Sequence, residues 1–100
     1  MQEEVEEWVS GALLTKSVDR EERLRFVSDV MPSIIVDQDG KNVLIPSSDE
    51  QYRFGIMLVK SNAARTSTSR VEGREQMVFL LEDWVYRAMA RYIRRSGEAG

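Results

Sequence analysis

The stretch RVEGREQMVFLLEDWVYRAMARYIRR, residues 70–95, decides the fold. Met77, Leu81, Trp84, Ala88 and Tyr92 recur at helical spacing, and Phe79, Tyr86 and Ile93 form a second stripe spaced by seven. Val78, Val85 and Met89 join them. Ser69, with Glu72 three residues on, is a capping box at the start of the run. The spacing predicts one long C-terminal helix over 70–95, about 37 Å at 1.5 Å per residue. Only the sector through Gln76, Asp83, Arg87, Ala90 and Arg94 is left for solvent. A helix apolar around most of its circumference is central in a core or covered by a partner. The rest of the chain is too short to cover it. The expected interface to a second copy or another protein is therefore Phe79, Val85, Tyr86, Met89 and Ile93.

Working outward, Thr66-Ser67-Thr68-Ser69 reads as a polar linker between Arg65 and Arg70. It lacks the glycine spacing of a phosphate-binding loop. Ile34–Gln38 and Lys41–Ile45 flank Asp39-Gly40, which suits a two-residue hairpin turn with positive φ at both positions. That register pairs Val36 with Val43 and Ile34 with Ile45. Glycine falls too early after Asp37 for a calcium loop, and Lys41 stands where a ligand is needed. Val36–Pro46 also resembles the hairpin of swapped-hairpin AbrB-type DNA-binding proteins. It has Lys41 in place of their Arg and one extra residue before Ile45-Pro46.

Upstream, Val5, Trp8, Val9, Ala12 and Leu13 lie on one face of a helix over 2–15. Gly11 marks a close contact there. Asp19 with Glu22 caps a second helix over 20–31, ended by Pro32. Residues 47–65 carry two capping boxes, Ser47 with Glu50 and Ser48 with Gln51, which favour a helix. Tyr52, Phe54, Ile56 and Leu58 alternate as in a strand, which is the alternative. The expected fold is α+β and mostly helical: about four helices, one β-hairpin (34–45) and the long helix 70–95. Residues 1–95 form one domain and 96–100 a disordered tail.

The chain of 100 residues has neither His nor Cys. Imidazole acid–base chemistry, thiol nucleophiles and the commonest metal ligands are therefore missing. No catalytic, cofactor or metal residue is expected. Glu82 and Asp83 are neighbours that point apart on a helix. The N-terminal segment is acidic, unlike a secretory signal, so a cytoplasmic location is expected.

The net charge of −3 hides opposed halves. Residues 1–50 carry five Lys/Arg against twelve Asp/Glu, and residues 51–100 nine against five. Arg87, Arg91, Arg94 and Arg95 project to one side of the long helix, where they can grip phosphates or carboxylates. Cations also suit a helix C-terminus, and Glu3, Glu4, Glu6 and Glu7 offer partners within the chain. The expected function is a small non-enzymatic protein–protein interaction module, an adaptor or regulatory subunit, dimerising through its last helix. The alternative is a winged-helix-like nucleic-acid-binding regulator using the arginine cluster. Membrane and metal partners are not expected.

Overall fold

A computed structural model describes residues 2–98. Three helices form where the apolar spacing and caps place them: α1 (Gln2–Ala12), α2 (Arg20–Val30) and α3 (Asp49–Lys60). The α2 cap is the expected one, with the Glu22 amide donating to Asp19 Oδ1 at 2.8 Å. Pro32 then opens a single 3₁₀ turn, Met31–Ser33. The helical reading of 47–65 holds at its N-terminus, where the Gln51 amide donates to Ser48 Oγ at 3.1 Å. The Gln51 side chain reaches back to accept from the Ser47 amide at 3.0 Å.

The long helix over 70–95 is not formed. Residues 64–81 are a hairpin, β3 (Ala64–Val71) and β4 (Arg74–Leu81), and the last helix is α4 (Asp83–Glu98). The break lies at Glu72-Gly73, whose φ angles are 51° and 81°. Two positive φ values make the tight turn that joins twisted strands, and Gly73 takes one of them without a Cβ penalty. Beyond the turn, Val78 and Phe79 suit a pleated surface. The two opposed stripes of the supposed helix have a simple origin. Met77, Phe79 and Leu81 alternate along a strand, whereas Trp84, Ala88 and Tyr92 lie on a helix. The supposed linker 66–69 is the middle of β3.

The helix also continues past Arg95. Ser96 is buried, and its carbonyl accepts from Arg20 Nη2 at 2.8 Å. The expected tail therefore begins as part of α4, and residues 99–100 lie outside the described chain.

The hairpin at 34–45 forms as β1 (Ile34–Val36) and β2 (Asn42–Leu44), in a different register. Ile34 pairs with Leu44 and Ile35 with Val43. Only Gly40 takes a positive φ, 77°, so the loop has three residues instead of two. Asp37 organises it: its Oδ1 accepts from the Asp39 and Lys41 amides, both at 2.9 Å. The one-residue shift puts Ile34 on the face of Leu44 and Ile35 on the face of Val43.

The four strands make one antiparallel sheet in the order β1-β2-β4-β3. All four helices pack on one face of it. The inner strand residues Leu44, Phe79 and Leu81 join Val5, Trp8, Phe26, Phe54, Leu58, Val85 and Met89 in one buried cluster. Phe54 lies at its middle, in T-shaped contact with Trp8 (6.2 Å) and Phe26 (5.4 Å). Each such ring contributes roughly 2–3 kcal/mol by leaving water. Among the described residues no helix is long and apolar enough to cross a membrane.

Candidate partner-binding site on the exposed side of the sheet

Strand alternation sends Ile35, Val43, Val78 and Leu80 to the face opposite Leu44 and Phe79. Ile45 continues the ladder on the Val43 side, its amide donating to Ser33 O at 2.9 Å. Val43 and Val78 are buried, at 6% and 1% exposure, yet neither belongs to the main cluster. Ile45 and Leu80 are half-buried, and Ile35 is 48% exposed. Every buried apolar residue of the helices lies in the cluster on the other side. Val43 and Val78 are thus shielded on this side, and Ile35 is the large apolar side chain that it exposes among the described residues.

The β3–β4 pair is longer than the sheet that carries it. Its register runs unbroken from Ala64–Leu81 to Val71–Arg74, with no bulge. β2 pairs only with Phe79, Leu80 and Leu81 of β4. The five pairs from Ser67–Val78 to Val71–Arg74 therefore run past β2 as a two-stranded arm. The molecule is correspondingly long, 41 Å against 26 and 23 Å. The arm is propped at its middle pair, where Gln76 Nε2 donates to Pro46 O at 3.2 Å. Its tip is closed by Arg70 Nη1 donating to Gly73 O at 3.0 Å.

Charge is unevenly placed on this side. β3 carries Arg65 and Arg70 and no carboxylate. Arg65 shares the outer face with Leu80, its partner on β4, and Arg70 lies on the inner-face side. At the sheet end, a cleft of about 290 Å³ gathers Asp39, Lys41, Arg65, Glu82 and Asp83. Among the described residues none of these is in an ion pair closer than 4 Å, and no acidic group clusters as a metal site would require.

The residues singled out from sequence end up elsewhere. Phe79, Val85 and Met89 are fully buried in the chain's own core. Ile93 packs against that core, and Tyr86 is 37% exposed on α4. The supposed surplus of apolar surface on one helix is thus absorbed by the fold itself. Arg87, Arg94 and Arg95 are exposed along α4, with Arg91 half-buried beside them. The N-terminal carboxylates do not pair with them. Glu6 meets Arg23 instead, at 3.6 Å. Arg23 also donates to Tyr92 Oη at 3.3 Å and to Val18 O, joining α1, α2 and α4. The hydrogen bond to Tyr92 holds its pKa above the ordinary guanidinium value. Burial opposes this, and Glu6 adds to it.

The β3 edge and the arm were missed from sequence. The available signals were the β-branched Thr66 and Thr68 and the Glu72-Gly73 turn before a β-forming run. A scan against protein-family models and searches of curated proteins and of solved structures find no match to this chain.

Proposed function

We propose that this protein is a small non-enzymatic protein–protein interaction module that docks its partner on the exposed side of the sheet. One observation carries the reading: a sheet layered by helices on one face only, with a two-stranded arm running past its neighbour. Two-stranded ribbons are marginal in water, and apolar sheet faces favour burial. Both features are improved by a bound partner.

The test is purification from the native host with proteins identified by mass. Wild type is compared with Leu80→Glu, on the outer face, and with Arg94→Ala/Arg95→Ala on α4. The reading expects a defined protein lost with Leu80→Glu and kept with the arginine variant. Its loss with the arginine variant alone moves the site to α4. Absence of any stoichiometric protein sinks the reading.

The second reading is a nucleic-acid-binding regulator, favoured by the exposed row Arg87, Arg94 and Arg95 beside Arg91. The hairpin 34–45 is not a free wing, since β2 lies inside the sheet. No aromatic residue stands on the outer sheet face for base stacking. A salt titration separates the two readings. Nucleic-acid affinity that falls steeply with salt, with a slope flattened by changing Arg87, Arg91 and Arg94 to Ala, supports this second one.

A further inference from the structure

We propose that Asp39-Gly40 is a site of aspartyl isomerisation, that Asp37 restrains it, and that its product frees β1 from the sheet. No step needs a partner.

The chemistry follows from the residue pair. The Gly40 backbone nitrogen attacks Asp39 Cγ, and one water leaves as a five-membered succinimide closes. A second water then opens the ring. Opening at the side-chain carbonyl restores Asp39. Opening at the main-chain carbonyl leaves isoaspartate, with the main chain running through Cβ and Cγ. One water is lost and one is taken up, and no oxidant or cofactor enters. Ring closure is intramolecular, so proximity is built in. Glycine has no Cβ to shield the attacking nitrogen. The chain has this Asp-Gly pair once and no Asn-Gly.

The loop leaves the pair open to solvent. Asp39 and Gly40 are both exposed. A Cβ on Gly40 would meet nothing within 4 Å. The Asp39 carboxylate is in no ion pair among the described residues.

Asp37 holds the nucleophile. Its carbonyl accepts from the Gly40 amide at 3.0 Å. Its Oδ1 accepts from the Asp39 and Lys41 amides on either side, both at 2.9 Å. An amide nitrogen attacks only after giving up its proton, and an N–H that donates to a carbonyl keeps it. The loop must therefore open before the ring closes. The three bonds to Asp37 set how often it opens.

The product acts on the least secured strand. β1 has three residues and pairs with β2 alone. Loop length fixes the register of such a pair. Isoaspartate adds one main-chain atom between Asp37 and Lys41, which close the loop through the Asp37 amide and Lys41 O at 3.0 Å. The same strand carries Ile34, which packs against the core.

In the test, the folded chain is held at neutral pH and body temperature in heavy-oxygen water for several weeks. Each pass through the ring leaves one heavy oxygen at Asp39. Peptides are then released in ordinary water, weighed, and separated by chromatography that resolves isoaspartate from aspartate. Heavy oxygen and isoaspartate are expected at Asp39 and at no other aspartate. The rate is expected to rise about tenfold in Asp37→Ala, which loses the side-chain bonds. It should stay near wild type in Asp37→Asn, whose Oδ1 still accepts. Wild type unfolded in urea should react at least as fast as Asp37→Ala, a comparison that needs no variant to fold. Hydrogen exchange at residues 34–37 is expected to quicken in the isomerised fraction. It should stay slow in Asp39→Ser held for the same time.

Absence of heavy oxygen at Asp39 in the folded wild type overturns the site. Equal rates for folded and urea-unfolded wild type overturn the restraint, as do equal rates for wild type and a folded Asp37→Ala. Unchanged exchange at 34–37 in the isomerised fraction overturns the release of β1.

Discussion

The Phe79 ring lies against the bare backbone of α3 at Gly55, in the space a Cβ would occupy. That contact lets the helix settle onto β4 and brings Tyr52 to 5.8 Å from the same ring. Gly55→Ala gains up to about 1 kcal/mol in helix propensity but must displace a buried aromatic ring. A net loss of about 1–3 kcal/mol is expected in urea unfolding. An unchanged midpoint would contradict the packing.

Leu14 closes α1 with φ at 57° and is 73% exposed. The Thr15 amide donates to Ser10 O at 3.0 Å and the Leu14 amide to Gly11 O at 3.3 Å, the paired bonds of a Schellman cap. The left-handed position costs an L-residue about 1–2 kcal/mol, partly offset by the greater unfolded-state freedom of glycine. Leu14→Gly is therefore expected to stabilise the protein by about 0.5 kcal/mol, read as a higher thermal midpoint. A lower midpoint would assign Leu14 a packing role.

The Glu72-Gly73 turn sets the β3–β4 register. Asn tolerates positive φ better than Glu, so Glu72→Asn should slow amide exchange along residues 67–78. Gly73→Val should speed exchange there and cost roughly 1–2 kcal/mol. Equal exchange in the two variants would mean that the turn does not hold the arm.

Arg23 serves Tyr92, Val18 and Glu6 at once. A lysine ammonium cannot span the three positions with a guanidinium's geometry. Arg23→Lys should cost about 1 kcal/mol, mainly from the lost hydrogen bonds. The raised pKa of Arg23 means that its contribution is complete below the ordinary guanidinium range. It is lost only as pH rises through the still higher folded value. The stability difference between wild type and Arg23→Lys should therefore be level from pH 6 to 9. A slope across that interval would point to a different titrating partner.

Local chemistry made α1, α2 and α3 legible. The Asp19 and Ser48 caps are side-chain-to-amide bonds within three residues, and such bonds need no tertiary context. Gly11 was also readable as a contact, since a Cβ there would meet Met57 at 2.7 Å. The hairpin at 34–45 was readable as a hairpin but not in register. Asp37 captures two amides of its own loop and makes it one residue longer than Asp39-Gly40 alone suggests.

The span 70–95 resisted reading because its apolar residues satisfy two periods at once. Met77 and Leu81 are four apart, which suits a helix, and also share one face of a strand. The seven-residue spacing of Phe79, Tyr86 and Ile93 crosses the boundary between β4 and α4. Two helical stripes emerged where there is half a strand and half a helix, and an interface was inferred from core residues.

By itself, the sequence determined the α+β class, the first two helices with the Asp19 cap, the capping boxes that favoured a third helix over a strand, the existence of the first hairpin, and a composition without imidazole or thiol. Those are matters of local bonding and counting. Tertiary structure alone decided that β2 pairs with β4, that the helices share one face, and that β3 keeps a free edge. Long-range pairing gave residues 74–81 backbone partners and a buried face together, which outweighed their helical spacing.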